Sequence, residues 1–262
     1  MLRHFEQYIV GFLLVAFAFL PLPVAAQTDA PVIAAASDLQ FAVQEVATAF
    51  QAEHGKEVKL SFGSTGNFAR QIREGAPFQM FMAADEKFIL DLAKDGFARD
   101  EGTLYAQGRI VLMVPNGSAL KPNGTLDDLE KALTEGRVKR FAIANPEHAP
   151  YGKRAEEALR HRGLWDKVQP LLVLGENVSQ AAQFATSGNA QGGIIAYSLA
   201  LSDQVSKLGT HALIPAEWHN PLLQRMVLLK NAGPVAEAFY GYIQSPKARE
   251  IMKKYGFILP GD

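Results

Sequence analysis

Cysteine is absent from the 262-residue sequence. That absence removes disulfides, thiol nucleophiles, thiolate metal sites and a lipid-modified N-terminal Cys together. Surplus charge is missing too, since 26 Lys and Arg face 27 Asp and Glu with no basic stripe among them. Nucleic acid and anionic membrane are therefore not expected as main partners. A membrane-spanning run is lacking as well. The apolar run Ile9 to Leu20 falls short of the ~20 residues a spanning helix needs. It follows Arg3 and His4 (diluted by Glu6), breaks at Pro21-Leu22-Pro23 and leads into Val24-Ala25-Ala26 before Gln27. Residues 1–26 thus read as a cleavable signal peptide. Catalytic signatures are also wanting: there is no G-x-S-x-G, H-E-x-x-H, P-loop or G-x-G-x-x-G. The six His residues are scattered without metal-ligand spacing.

What is present is a recurrent order of strand, turn and helix start. An apolar segment carrying Val58, Leu60 and Phe62 enters Gly63-Ser64-Thr65-Gly66-Asn67, and an amphipathic stretch with Phe68 and Ile72 follows, stopping at Gly75. The first N–H groups of a helix have no internal partner and lie at its positive dipole end. Ser64 and Thr65 add hydroxyl donors there, and Gly63 and Gly66 admit close approach. Ser, Thr and Gly are equally ordinary capping residues, so this stretch alone does not require a ligand.

The same order opens the exported chain. Val32 to Ala36 reads as a strand, and Ser37 with Gln40 fits a capping box. Leu39, Val43, Val46 and Phe50 then mark one face of a helix ending near Gly55. Further strands are predicted at Met80 to Ala83, Arg109 to Val114, Phe141 to Ala144, Leu171 to Leu174, Gly193 to Tyr197 and Leu223 to Leu229. Helices are predicted over Glu86 to Asp95, after Thr125, from about Lys153 to Arg162, after the cap-like Asn177 and Gln180, and from Pro234 and Ser245-Pro246. The alternation argues for a parallel, helix-covered α/β sheet.

Four strand-to-helix junctions stand out, at Ser37, Thr65, Pro150-Tyr151 and Asn177-Val178. Ligands of open α/β sheets bind beyond the carboxyl ends of strands, where such junctions lie. Converging helix starts would hold an anion with no Lys or Arg; four independently capped helices would need no ligand, and the residues alone leave both readings open. Arg70 and Arg73 fit a solvated helix face, Trp165 and Trp218 fit packing, and His148 beside Glu147 fits ordering of the Pro146 to Pro150 loop.

Several longer stretches carry a family resemblance. Ala34-Ala35-Ala36-Ser37-Asp38-Leu39, Phe62 to Ile72, Gly75-Ala76-Pro77-Phe78, Ala83-Ala84-Asp85-Glu86, Asn145 to Gly152, Glu176-Asn177-Val178 and Lys254-Tyr255-Gly256-Phe257 occur in that order. Together they resemble the periplasmic molybdate-binding proteins, the ModA-type substrate-binding subunits of molybdate ABC transporters. The resemblance covers essentially the whole exported chain. It implies an α/β, two-lobed type II periplasmic binding protein fold, each lobe a helix-covered mixed sheet with the ligand cleft between lobes. Lobe 1 would comprise residues 27–108 plus 218–262, and lobe 2 residues 109–217.

The function implied is binding of molybdate or tungstate in the periplasm, without catalysis or a cofactor, molybdenum entering only as the oxyanion. A monomer would deliver it to the membrane permease of an ABC importer. By position, Ser37 and Thr65 would donate hydroxyl and backbone N–H groups, and Tyr151 and Val178 backbone N–H groups. Asp38 would offer its N–H with the carboxylate turned away. None of these donors titrates near neutrality, so binding is expected to persist from pH 6 to 8. Thr65 stands where the family commonly has Ser. Tyr197 lies one residue out of register with a Tyr that some members use, and is left out of the site. The alternatives are a binding protein for sulfate or another tetrahedral oxyanion and, from a different class, a hydrolase using Ser37 or Ser64, for which no base stands at a recognisable spacing.

Overall fold

The computed structural model describes residues 30–262. The signal-peptide reading of residues 1–26 lies outside them. In chain order the elements begin with β1 (Val32–Ala36), α1 (Gln40–His54), β2 (Lys59–Gly63), α2 (Thr65–Arg73), β3 (Met80–Ala83), α3 (Glu86–Lys94) and β4 (Thr103–Gly108). They continue with β5 (Ile110–Pro115), α4 (Asp127–Thr134), β6 (Phe141–Ala144), α5 (Pro150–His161), α6 (Trp165–Val168), β7 (Leu172–Gly175), α7 (Val178–Thr186), β8 (Gly192–Ala196), α8 (Tyr197–Ala200), α9 (Asp203–Ser206) and β9 (Gly209–Leu213). The last three are β10 (Leu222–Leu228), α10 (Pro234–Ile243) and α11 (Pro246–Lys254).

These strands form two five-stranded sheets, in the orders β2-β1-β3-β10-β4 and β7-β6-β8-β5-β9. Both are mixed. In the first, β1 runs parallel to β2 and β3 while β10 is antiparallel to β3 and β4. In the second, β6 runs parallel to β7 and β8 while β5 is antiparallel to β8 and β9. The parallel arrangement suggested by strand–helix alternation is corrected here, while the two mixed sheets implied by the family resemblance are present. Alternation reports local order, whereas β10 reaches the first sheet from the far end of the chain. The polypeptide passes from the first sheet to the second through Arg109 and returns between Leu213 and Leu222.

Strand alternation explains the core. Ile33 and Ala35 of β1, with Met80 and Met82 of β3, join the large cluster that includes Leu39, Val43, Val46 and Phe50 of the α1 region. Ala34 and Phe81 point to the opposite face, where they meet Phe68 and Ile72 of α2 and Ile89 and Leu92 of α3. Both faces of the first sheet are covered, so its central strands carry almost unbroken apolar runs.

Other local readings also shift. Helix α1 starts at Gln40 with no side-chain cap, after a 3-10 turn over Ser37–Leu39, so the Ser37–Gln40 capping box does not form. Helix α5 begins at Pro150 rather than Lys153, because Pro at the first position loses no helical bond. Strand β8 stops at Ala196, and Tyr197 begins α8. Strands β4 and β9 went unpredicted, being mixed in polarity.

Candidate functional site

The four junctions meet. Ser37 follows β1, Thr65 opens α2 after β2, Tyr151 is the second residue of α5 after β6, and Val178 opens α7 after β7. All four line one cavity between the sheets, together with Asp38, Ser64 and Ala84. The centre of a water-sized sphere can move through about 10 Å3 of it. Among the described residues no Lys or Arg lines the space, and Asp38 is the one charged residue that does.

Local chemistry sets each donor. Thr65 Oγ1 accepts from Ala84 N at 3.1 Å, and Ser37 Oγ accepts from Ser179 N at 3.3 Å. Each hydroxyl oxygen is thus occupied by an amide, which leaves its hydrogen for an acceptor. The amides of Thr65, Tyr151 and Val178 belong to first helical turns and have no partner within their own helix. Asn177 caps α7 by accepting from Gln180 N at 3.1 Å, as its sequence position predicts. Helix α2 is capped by Ser64, whose Oγ accepts from Asn67 N at 3.3 Å.

Asp38 turns its side chain into a buried polar network. Oδ2 accepts from Gln224 Nε2 at 2.6 Å and from the Tyr151 hydroxyl at 3.0 Å, while Oδ1 has no hydrogen-bond partner. Tyr105 donates to Gln224 Oε1 at 2.9 Å. Burial raises the Asp38 carboxyl from its ordinary 3.8 to about 6, against the lowering effect of the hydrogen bonds from Gln224 and Tyr151. Burial, followed by the charge of Asp38, pushes the Tyr151 and Tyr105 hydroxyls well above 10.0, so both remain donors. The network fits only because residue 108 is glycine: a Cβ there would stand 2.1 Å from the Tyr151 hydroxyl. Sequence reasoning missed Gln224 and Tyr105, which lie in strands with no motif of their own.

Several contacts join the two sides of the cavity. Gly66 N donates to His148 O at 2.9 Å, and His148 Nδ1 lies 3.0 Å from Ser64 Oγ. Ser179 Oγ lies 2.9 Å from Ser37 O and 2.8 Å from Gln40 Oε1. Ser198 Oγ donates to Asp38 O at 2.8 Å. Arg154, buried within α5, donates to Asp85 Oδ2 at 2.7 Å. His148 therefore joins the two sides, and Asn145 also orders the loop before α5, its carbonyl accepting from Ala149 N at 3.0 Å. Tyr197 stands apart from the cavity and packs on His211, ring centroids 5.6 Å apart. Arg73 pairs with Asp95 and Arg70 with Glu74 on an exposed face, away from the cavity.

Comparison with known proteins places this geometry. The family model for bacterial extracellular solute-binding proteins matches residues 31–258. The molybdate-binding protein ModA of Azotobacter vinelandii is 35% identical over 244 residues, covering 90% of this chain and 92% of that protein. ModA of Rhodobacter capsulatus is 33% identical over 242 residues, covering 91% of each. The solved structure of the Azotobacter vinelandii periplasmic molybdate-binding protein superposes with a TM-score of 0.78 at 33% identity, covering 88% of this chain and 99% of that one. With the type II binding-protein architecture and a donor-lined cavity between its two sheets, the chain belongs to the bacterial extracellular solute-binding protein family, among its ModA-type members.

Proposed function

We propose that this protein binds molybdate, and tungstate with it, for delivery to the membrane permease of an ABC importer. One observation carries the reading. Two hydroxyls and three helix-start amides from both sheets surround one small cavity that no cation lines. Such an array replaces the water shell of a tetrahedral dianion with fixed dipoles, each charge-assisted bond contributing roughly 1.5–3 kcal/mol. The names of the relatives support the choice of anion. Ser37, Asp38, Thr65, Tyr151 and Val178 form the binding set, acting on oxygen atoms of the ligand, and no cofactor is involved. The lobes are residues 27–108 with 218–262 and residues 109–217. The protein works as a monomer in the periplasm after removal of residues 1–26.

A second reading has one observation in its favour. Ser64 Oγ lies 3.0 Å from His148 Nδ1, and His148 Nε2 lies 3.6 Å from Glu176 Oε2, the order of groups a hydrolase uses. Against it, Ser64 Oγ serves as a helix cap and Glu176 is exposed. Binding without turnover accounts for more of the geometry.

Thermal unfolding tests both. A ligand bound only by the folded protein stabilises it by about 4 kcal/mol at a thousandfold excess over Kd. At equal concentrations, molybdate and tungstate should raise Tm strongly, and sulfate and phosphate little. A sulfate shift as large as that of molybdate would move the assignment to a sulfate-binding protein. Ester turnover without any oxyanion shift would favour the hydrolase.

A further inference from the structure

Asp38 lines the proposed anion cavity yet is only 1% exposed, and no cationic group acts on it. Its two oxygens have different surroundings. Oδ2 receives two hydrogen bonds, and their direction is set by the groups behind them. Tyr105 donates to Gln224 Oε1, which turns the Gln224 amide nitrogen toward Asp38. That nitrogen also donates to the Tyr151 hydroxyl at 3.1 Å, leaving Tyr151 to donate to Asp38. A proton reaching Asp38 therefore goes to Oδ1, the buried oxygen without a partner. Beyond the residue's own backbone amide, an ionised Oδ1 there has no donor, and a protonated one lacks an acceptor from the protein; either is costly to bury. A tetrahedral oxyanion offers acceptors alone, and a second negative group in the same site favours one shared proton.

We propose that the cavity takes its dianion together with one proton, carried on Asp38 Oδ1 and donated to an oxyanion oxygen. This rests on the oxyanion reading above and adds the protonation state of the complex. The ionisable groups facing Asp38 are Tyr151 from α5 and Tyr105 from β4, both held neutral. The other elements against it present Gln40, Ser179, Ser198 and Gln224, none of which ionises; Glu45 of α1 is paired with Lys254, and Lys59 of β2 is exposed. Burial already brings the carboxyl to about 6 with the cavity free of anion, so at pH 8 it is ionised before binding and takes its proton from solvent on binding. The shared proton also discriminates between anions of one shape. Sulfate is a much weaker base than molybdate or tungstate and accepts that hydrogen bond less well.

The test is calorimetric titration of the exported protein with sodium molybdate at pH 8, in Tris and in HEPES, whose ionisation enthalpies differ. The wild type should take up close to one proton per anion, and its affinity should fall about tenfold per pH unit from pH 7 to 8.5. Asp38→Asn keeps an acceptor for Gln224 and Tyr151 and places an NH2 at the other position. It should take up close to none and bind with flat pH dependence. A measurement on the wild type needs no variant to fold: with 13C-labelled Asp, the infrared difference spectrum should gain a protonated carboxyl C=O band on molybdate addition at pH 8. Molybdate bound with neither proton uptake nor that band overturns the proposal, as does equal uptake by wild type and Asp38→Asn. Failure of every oxyanion to bind overturns the site reading as well, and is told apart by the absence of any binding heat.

Discussion

Ser37 and Thr65 each accept a hydrogen bond from a backbone amide, of Ser179 and Ala84 respectively. Truncating either hydroxyl removes a donor from the anion and an acceptor from that amide. Ser37→Ala and Thr65→Ala should each weaken molybdate binding roughly ten- to a hundredfold. The orphaned amides should cost about 1–3 kcal/mol of folding stability, more than a lost helix cap. Titration calorimetry and urea unfolding measure the two effects separately; unchanged affinity in both variants would remove these hydroxyls from the site. Asp38 makes a prediction about the ligand-free protein. Its carboxyl rises from 3.8 to about 6 on folding, so the folded state binds the proton more tightly than the unfolded state does. Stability from this group is fully present below about pH 4 and is lost as pH rises through about 6. The loss is about 3 kcal/mol at full ionisation. Asp38→Asn cannot ionise, so its Tm should gain on the wild type between pH 4.5 and 7 and then hold a constant difference. A difference that does not change with pH would show that Asp38 is not buried as described.

At the scale of elements, the site is built from helix beginnings. In α2, α5 and α7 the first amides lie where the dipole is positive, and Ser64, Pro150 and Asn177 decide where those helices start. Asn177 separates cap from charge. Asn177→Ala should lose about 1 kcal/mol of stability with its cap. Asn177→Asp keeps an acceptor for Gln180 N and adds a negative charge next to Val178. It should fold as well as the wild type and bind molybdate several-fold more weakly at low ionic strength, the difference shrinking as salt is added. Equal affinity of Asn177→Asp and wild type would place the anion away from the start of α7.

Across the whole molecule, the proposed binding set couples binding to closure, because its donors come from both sheets. Gly66 is a close backbone contact between the two sides. Its N–H donates to His148 O at 2.9 Å, and a Cβ on residue 66 would stand 2.6 Å from that oxygen. Gly66→Ala should therefore hold the sides apart. Molybdate affinity should fall by tenfold or more while the Tm of the ligand-free protein changes little, and the compaction seen by X-ray scattering on adding molybdate should be lost. Normal compaction would show that the contact yields. The Arg154–Asp85 pair is a further tie between the sides, more than three quarters of each side chain being shielded from solvent.

Local rules made much of this protein readable. Periodicity marked α1, capping marked α7 through Asn177, and the apolar runs at 32–36, 80–83 and 141–144 became strands with those bounds. Nearest-neighbour chemistry decides these features, so one stretch of sequence contains them. The same holds for Thr65, Tyr151 and Val178, each at a helix start. Long-range contacts settled the rest. The antiparallel placement of β10 depends on backbone pairing with β3 and β4, which no local pattern encodes. Ser37 looked like a cap because the partner that takes its oxygen, Ser179, is 142 positions away. Asp38 and Gln224 are 186 positions apart, and Asp38 and Tyr151 113. As a sequence position, Asp38 was an ordinary carboxylate in a first turn, consistent with binding indifferent to pH. Burial without a cation, which only the folded chain creates, raises its pKa toward neutrality.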